Sequence, residues 1–190
     1  MKDRIIIITA LAILFLGMCV MENNAVSCRP AEPITGKASA IYMLAGEFRV
    51  VFANLLWIKA EQYHHEYVQR NLPWTHDKEL MGLIDLITTL DPHFVEAYET
   101  GSYILADGYK DTHKAIKYLR QAINNNPKAW ELYQIAAIMY TNRLKDPEHA
   151  IPYAKKTVEL CNDNFYHRVA ARSLKTIEKL AKNSQATRRR

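Results

Sequence analysis

Few of the residues that mark disulfide-bonded or fibrous proteins occur in this sequence. Its 190 residues include three cysteines, six glycines and seven prolines. Cys19, Cys28 and Cys161 are too far apart for a disulfide framework or a cysteine-rich zinc module, and so little glycine and proline excludes collagen-like chains. With 49% apolar and 24% charged residues, the composition predicts one globular domain with additional segments at its ends.

Sequence patterns that indicate catalysis or cofactor binding are also missing. There is no glycine-rich phosphate loop, no Cys-x-x-Cys-His haem site and no Ser-His-Asp or Cys-His order that stands out. The one histidine cluster is His64-His65-Glu66, which lies near Glu61. Adjacent side chains on a helix point about 100° apart, so His64 and His65 cannot chelate one ion in a simple way. We expect no catalytic residue, no metal, no cofactor and no small-molecule substrate.

Positive charge is concentrated at the C-terminus. Residues 1–140 contain 13 Lys+Arg and 15 Asp+Glu, whereas residues 141–190 contain 12 and 5. A basic segment attracts nucleic acid, anionic lipid or an acidic protein face, and it is also typical of a solvated last helix with a frayed end. No aromatic residue follows Tyr166, so base-stacking groups are missing, and we expect no nucleic-acid partner.

The N-terminus is organised like a membrane-targeting segment. Lys2 and Arg4 precede seventeen uncharged residues, 5–21, and a polar stretch follows them. Ala25 and Ser27 are small residues that fit signal-peptidase cleavage after Ser27. As a helix, the apolar run would span roughly 25 Å, slightly less than the hydrocarbon thickness of a bilayer. Cleavage as a signal peptide and retention as an anchor are therefore both open.

A lipid anchor is a third alternative for the same segment. It would require acylation of Cys19 or Cys28, and neither has the small preceding residues or the position expected of such a site. Lys2 and Arg4 favour an orientation with the N-terminus inside. Every alternative therefore predicts a folded domain on the extracytoplasmic, periplasmic side. That compartment is oxidising, so a disulfide between Cys28 and Cys161 is open there.

The body of the chain repeats itself at 35 residues. Residues 91–98 align with residues 126–133, with Pro over Pro and Tyr over Tyr. The matched positions beyond that stretch are Asp111 with Asp146, Ala115-Ile116 with Ala150-Ile151, and Ile123 with Val158. A period of 34 to 35 residues with two amphipathic segments per unit is typical of stacked helix-turn-helix repeats.

Local patterns indicate where the helices lie. In residues 114–123 the apolar side chains Ala115, Ile116, Leu119, Ala122 and Ile123 form one stripe at helical spacing. Asp91, Asn126 and Asp146 each precede a proline, which predicts an N-cap followed by proline at the first helical position. The aromatic residues Phe48, Phe52, Trp57, Tyr63 and Tyr67 also have helical spacing and are predicted to belong to the core. We predict seven helices, the last over residues 165–180.

The pattern of large, small and aromatic residues in each unit resembles the tetratricopeptide repeat family. One unit supplies Tyr98, Gly101, Ser102, Leu105, Ala115, Leu119 and Pro127, and the next supplies Tyr133, Ala136, Ala137, Tyr140, Ala150, Ala154 and Asn162. The resemblance covers about residues 47–182 and is closest in these two units. It implies an all-α fold, an α-solenoid of about three helix-turn-helix repeats with a C-terminal capping helix, preceded by the N-terminal hydrophobic helix.

The expected organisation divides the chain into four segments. They are a signal peptide or transmembrane anchor over residues 1–27, a linker over 28–38, the repeat domain over 39–183 and a basic disordered tail over 184–190.

The resemblance also implies a binding site. In this family the first helix of each pair lines a concave groove that holds a partner's segment. The matching positions here are Glu96, Glu99, Tyr103 and Asp107 in one unit and Glu131, Gln134, Ile138 and Asn142 in the next. They form an acidic wall with two apolar contacts, which suits a basic or amphipathic peptide, although a merely solvated acidic face has the same composition.

The expected function is a non-catalytic scaffold for protein-protein interactions in a membrane-associated, extracytoplasmic complex. Its partners would be proteins, together with the membrane if the N-terminal helix is not cleaved. The alternative from another class is an accessory subunit of an envelope enzyme, contributing a cofactor ligand or a docking surface.

Overall fold

The computed structural model describes residues 45–69, 75 and 78–188, and within these ranges every regular element is helical. The described part contains the seven α-helices that the sequence predicts and no strand, so the all-α class is confirmed. A 3₁₀ turn, Gly46–Phe48, precedes the first of them. The helices are α1 (Arg49–Gln69), α2 (Lys78–Leu90), α3 (Val95–Tyr103), α4 (Thr112–Asn125), α5 (Trp130–Ile138), α6 (Pro147–Leu160) and α7 (Asn164–Arg188).

Short connections join the helices from α2 onward. Each of these helices packs against the next, and α3 also packs against α5. Because short connections return the chain along the helix it has just left, successive helices are antiparallel. The chain divides into two compact units at residues 52 and 53, and the helices from α2 to α7 belong to the second.

Helix boundaries recur at 35 residues in the middle of the chain. α3 begins at Val95 and α5 at Trp130, while α4 begins at Thr112 and α6 at Pro147. Both α3 and α5 end in one π-helical turn, Ile104–Gly108 and Met139–Arg143. The same local structure is therefore built twice from different residues.

Each π-helical turn closes with the same backbone pattern. Asp111 N donates to Leu105 O and Asp146 N donates to Tyr140 O, at 3.0 and 2.9 Å. The residues just before them, Lys110 and Lys145, have φ of 58° and 55°, the left-handed conformation that ends many helices and that glycine adopts most readily. Lysine thus occupies a position where its Cβ is strained.

The aspartates after these two lysines begin the next helices. The side chain of Asp111 accepts a hydrogen bond from Lys114 N, and that of Asp146 accepts one from His149 N. Asp146 is the N-cap of α6 with Pro147 at the first helical position, as the sequence predicts. A side-chain oxygen at this position satisfies a backbone N–H that has no partner within the helix.

The other two predicted helix starts are wrong. α3 begins at Val95 and α5 at Trp130, not at Pro92 and Pro127. Phe94 N donates to Asp91 O and Ala129 N to Asn126 O, both at 3.1 Å. Proline after Asp or Asn fits the second position of such a turn equally well, so each Pro forms a turn that precedes the helix.

The core contains the predicted apolar stripe of α4. Ala115, Ile116, Leu119 and Ala122 are buried, whereas Lys114, Lys117, Arg120 and Gln121 on the same helix are exposed. The other large, fully buried side chains of the core come from α2, α3, α5 and the two π-helical turns, and they are Leu80, Ile84, Ile87, Tyr98, Leu132, Ile104 and Met139.

The aromatic side chains of α1 and of the 3₁₀ turn before it do not form the expected core. Phe48 and Phe52 are 51% and 47% exposed, while Trp57 and Tyr63 are half-buried. α1 buries the small residues Ala53 and Ala60 instead. Helical spacing identifies a face but does not decide which face meets the core. The side chain of Tyr67 lies outside the described residues.

The last helix is longer than expected. α7 continues to Arg188, eight residues past the predicted end at Leu180. No glycine or proline interrupts residues 181–188, and Ala181 is buried. Residues 184–188, which belong to the predicted disordered tail, are therefore helical. Residues 189–190 lie outside the described part.

The predicted leader and linker also lie outside the described residues, as do Cys19 and Cys28. Among the helices that are described, none combines the length and apolar character needed to cross a bilayer. Cys161, at the end of α6, is buried.

Candidate functional site

Six of the eight predicted groove residues lie on two parallel helices. Glu96, Glu99 and Tyr103 belong to α3, and Glu131, Gln134 and Ile138 belong to α5. The other two residues, Asp107 and Asn142, fall in the π-helical turns that follow these helices. Since α3 packs against α5, equivalent side chains of the two units stand beside each other.

A concavity of about 530 Å³, called here the central concavity, opens beside α3, α5 and α7. Five of the predicted residues line it: Glu99, Tyr103, Glu131, Gln134 and Ile138. The rest of its wall is formed by Trp130 and Ile135 of α5 and by Tyr166 of α7. The structure thus brings together acidic groups from two helices with aromatic and aliphatic side chains.

A second concavity, of about 350 Å³, lies toward α1 and is called here the N-terminal concavity. Its wall combines acidic, aromatic and small residues, namely Trp57, Ala60, Glu61, His64, Leu80, Glu96, Glu99 and Thr100. Glu96 and Glu99 are the predicted groove residues in this set. Glu99 borders both concavities and is therefore the residue that they share.

The carboxyl group of Glu99 is the most strongly perturbed acid of the site. Glu99 is half-buried, and removal from water together with the nearby charges of Glu131 and Glu96 raises its pKa to about 7. Both effects disfavour the ionised form. At neutral pH this carboxyl group exists in both protonation states, and any cation that approaches it favours ionisation.

The hydroxyl of Tyr103 remains protonated in the same surroundings. Burial raises its pKa, the charges of Glu99 and Asp107 raise it further, and Arg143 opposes them. Tyr103 therefore offers the central concavity an apolar ring and a neutral hydroxyl that can both donate and accept a hydrogen bond.

Asp107 and Asn142 do not line either concavity. Asp107 pairs with Arg143 across the two units, with 2.6 Å between Oδ1 and Nη2 and 2.9 Å between Oδ2 and Nη2. Asn142 is exposed. The predicted residues on the two helices line the concavities, whereas these two residues in the π-helical turns do not.

Aromatic pairs border both concavities. The rings of Trp130 and Tyr166 have centroids 5.3 Å apart, and those of Trp57 and Phe94 have centroids 5.2 Å apart. In each pair the rings are tilted, an arrangement that favours contact between the edge of one ring and the face of the other.

Three lining residues that the sequence interpretation did not assign to the groove follow the same register. Glu61 and His64 precede Glu96 and Glu99 by 35 residues, and Tyr166 follows Glu131 by 35. The sequence repeat is weak in the first and last units, so these residues do not stand out by residue type. Extending the groove positions by one period in each direction identifies all three.

The histidine cluster is divided between two environments. His64 lines the N-terminal concavity, whereas His65 is exposed and has its Nε2 3.9 Å from Oε2 of Glu61. Over the described ranges, no three His, Cys, Asp or Glu side chains are grouped in a way that would hold a metal ion.

Comparison with models of known protein families and with curated proteins finds no match to this chain.

Proposed function

We propose that this chain is a non-catalytic scaffold that binds a basic or amphipathic segment of a partner protein along the concave side of α3 and α5. The observation that supports the proposal best is the position and pKa of Glu99. The carboxyl group of Glu99 is half-buried, and burial together with the charges of Glu131 and Glu96 raises its affinity for protons; a Lys or Arg side chain of a partner would relieve that repulsion.

The apolar part of the site favours a peptide over a free cation. Tyr103, Ile138, Trp130 and Tyr166 surround the central concavity and offer area for aliphatic or aromatic side chains. An amphipathic helix or an extended segment with alternating basic and apolar residues combines both requirements. Affinity would come from apolar burial, and the acidic groups would select the charge of the partner.

We further propose that residues 47–182 form an α-solenoid of tetratricopeptide type, with α1–α2, α3–α4 and α5–α6 as three helical pairs and α7 as the cap. The support is the recurrence of helix starts, π-helical turns and left-handed lysines at 35 residues. The contact between α3 and α5 is the one expected when the first helices of neighbouring units stack.

The proposed location is extracytoplasmic, beside a membrane. It rests on the sequence of residues 1–27, with their two basic residues and seventeen uncharged ones. A single-pass protein with its repeat domain in the periplasm and an exported soluble protein are both consistent with that sequence. The mass of the mature N-terminus distinguishes them, because cleavage after Ser27 leaves Cys28 as the first residue.

The proposed function is tested by partner capture with matched variants. The full chain, kept in mild detergent, is used to capture proteins from a membrane extract of the source cells. The site variant is Glu99→Gln with Glu131→Gln, and the control is Glu159→Gln with Glu178→Gln, which removes two negative charges outside both concavities. We expect a partner that the wild type and the control retain and the site variant loses.

Mapping of the captured segment by crosslinking completes the test. The crosslinks are expected to join α3 and α5 to a stretch of the partner that is rich in Lys or Arg. Equal capture by the site variant, or crosslinks confined to other helices, would refute the assignment of this surface.

A further inference from the structure

Five basic side chains form one straight row on α7. Each is exposed, and their spacing of four, three, four and three residues keeps them on a single helix face. The row consists of Arg168, Arg172, Lys175, Lys179 and Lys182, and it is called here the basic face. At about 1.5 Å per residue it is about 21 Å long.

The basic face points away from the body of the protein. The opposite side of α7 buries Ala170, Ile177 and Ala181, which are 3%, 4% and 4% exposed. These small and aliphatic residues pack α7 against α6, so the five charges are directed outward. Tyr166, which lines the central concavity, precedes Ala170 by one helical turn on this opposite side, so binding at the basic face leaves that concavity open.

The charges of the basic face are not neutralised within the described part of the chain. The ion pairs in the described part of the chain join other residues, and no carboxylate there lies within 4.0 Å of any of the five basic groups. Glu178 is the only acidic residue of α7. A row of cations that is uncompensated within its own domain attracts an anionic partner of matching length.

Two exposed apolar residues lie beside the N-terminal end of the basic face. Phe165 and Val169, one helical turn apart, are 61% and 39% exposed. Basic residues accompanied by an exposed aromatic side chain are typical of helices that lie in a membrane interface, where the ring enters the boundary between headgroups and acyl chains. Binding of single-stranded nucleic acid would require aromatic residues between the charges, and the basic face has none.

We propose that the basic face of α7 binds the headgroup surface of an anionic phospholipid membrane. A straight helix meets a plane along its whole length, so all five charges can reach phosphate groups at once. Each basic residue near such a surface strengthens binding by about fivefold. This interaction orients the repeat domain on the membrane independently of the partner site, and it does not depend on the fate of the leader.

The test uses the full chain reconstituted into vesicles of phosphatidylcholine alone or with about one third phosphatidylglycerol. A fluorescent probe is attached at Thr176→Cys, an exposed position beside the basic face, with Cys19 and Cys28 replaced by serine. Nitroxide-labelled headgroups quench the probe when α7 lies on the surface. The same chain is present in both kinds of vesicle, so any insertion of its N-terminal segment is common to both and the difference between them reports α7.

We expect the ratio of surface-bound to free α7 to be at least about tenfold higher on anionic vesicles and to fall as added salt screens the charges. The basic-face variant replaces four basic residues by glutamine: Arg172, Lys175, Lys179 and Lys182. The control makes the same net charge change on other helices and connections, at Lys114, Lys117, Lys128 and Lys155. Only the basic-face variant should lose the preference for anionic vesicles. Far-UV circular dichroism checks that both variants fold.

Three results would overturn the proposal. The first is equal quenching on neutral and anionic vesicles, and the second is an equal loss in the control variant, which would show an effect of net charge alone. The third is salt-dependent binding of an oligonucleotide or an acidic protein that is lost when the four basic residues are replaced, without any preference of the wild type among vesicles.

Discussion

Gly101 lies so close to the ring of Tyr118 that no side chain fits between them. A Cβ built on Gly101 would be 2.8 Å from Cε1 of Tyr118 and 2.9 Å from Cγ2 of Ile84. The ring of Tyr118 also contacts that of Tyr98 in a tilted arrangement, with centroids 5.1 Å apart, and its hydroxyl lies 3.4 Å from Oγ1 of Thr88. This contact joins α2, α3 and α4 at the centre of the fold.

Gly101→Ala is therefore expected to destabilise the protein. Ile84 is fully buried and Tyr118 is fixed on two sides, so neither can move away cheaply, and overpacking should cost about 1–3 kcal/mol in urea unfolding. The matched control is Gly82→Ala in α2, whose Cβ would meet nothing within 4 Å. At that position alanine should raise the free energy of unfolding by about 0.5–1 kcal/mol, because its helix propensity is higher than that of glycine. Equal stability of the two variants would contradict this view of the core.

Asn126→Asp tests a contact between the turns of neighbouring units. Nδ2 of Asn126 donates to Pro92 O and to Ala122 O, both at 3.1 Å. A carboxylate removes both donors and places negative charge against two carbonyl oxygens. The expected loss in the free energy of unfolding is about 1–3 kcal/mol.

The control for that variant is Asn124→Asp, an exposed position two residues earlier on the same helix end. Both variants add one negative charge near the C-terminus of α4, so their difference isolates the hydrogen bonds. If thermal unfolding shows the same loss for the two, the contact with Pro92 contributes nothing.

Lys110→Gly and Lys145→Gly are expected to stabilise the protein. Both lysines have positive φ, which glycine adopts without strain, and the gain is limited by the greater freedom of glycine in the unfolded chain. We expect about 0.5 kcal/mol for each variant and additive effects in the double variant, because the two sites share no contact. Lys117→Gly, in the exposed middle of α4, should instead lower the free energy of unfolding by about 1 kcal/mol. A loss at residue 110 or 145 would count against the strained geometry.

Glu99→Gln should change how stability depends on pH. The pKa of Glu99 is raised from 4.5 to about 7 in the folded protein, so the folded state binds more protons than the unfolded state between these values, and its stability falls as pH rises through that window. Glutamine removes this loss. Above pH 7 we expect the variant to be more stable than the wild type by roughly 1 kcal/mol. The difference is no larger because water screens the half-buried group.

That gain should disappear near pH 4.5, where Glu99 is protonated in the folded state. Chemical unfolding of wild type and variant across this pH range measures the difference directly. Glu159→Gln, at an exposed position of α6 where the carboxylate pairs with Lys156, is the control for removing one acidic group outside the site. A constant offset at all pH values would contradict a raised pKa at Glu99.

Much of the helical architecture follows from local patterns in the sequence. The apolar stripe of α4 and the Asp146-Pro147 start of α6 depend on residues within one or two turns of each other, and both agree with the structure. By contrast, Asp-Pro and Asn-Pro are equally good in a turn and at a helix start, so the sequence could not exclude the turns at Pro92 and Pro127.

The candidate site, too, is only partly predictable from the sequence. A period of 35 residues is enough to predict that Glu99, Tyr103, Glu131 and Ile138 share one side of the protein, because equal positions in neighbouring units face the same way. It does not predict that Asp107 pairs with Arg143, because that contact depends on the paths of two separate turns.

The type and spacing of the helices are thus encoded in short stretches of sequence, since backbone hydrogen bonds and amphipathic periodicity act over a few residues. The properties of single groups depend on distant parts of the chain. The pKa of Glu99 is raised to about 7 because the fold removes water from the carboxyl group and brings Glu131 of α5 and Glu96 close to it. Phe52 is exposed because α1 buries Ala53 and Ala60 instead. Desolvation and choice of face are set by packing, so tertiary structure alone decides them.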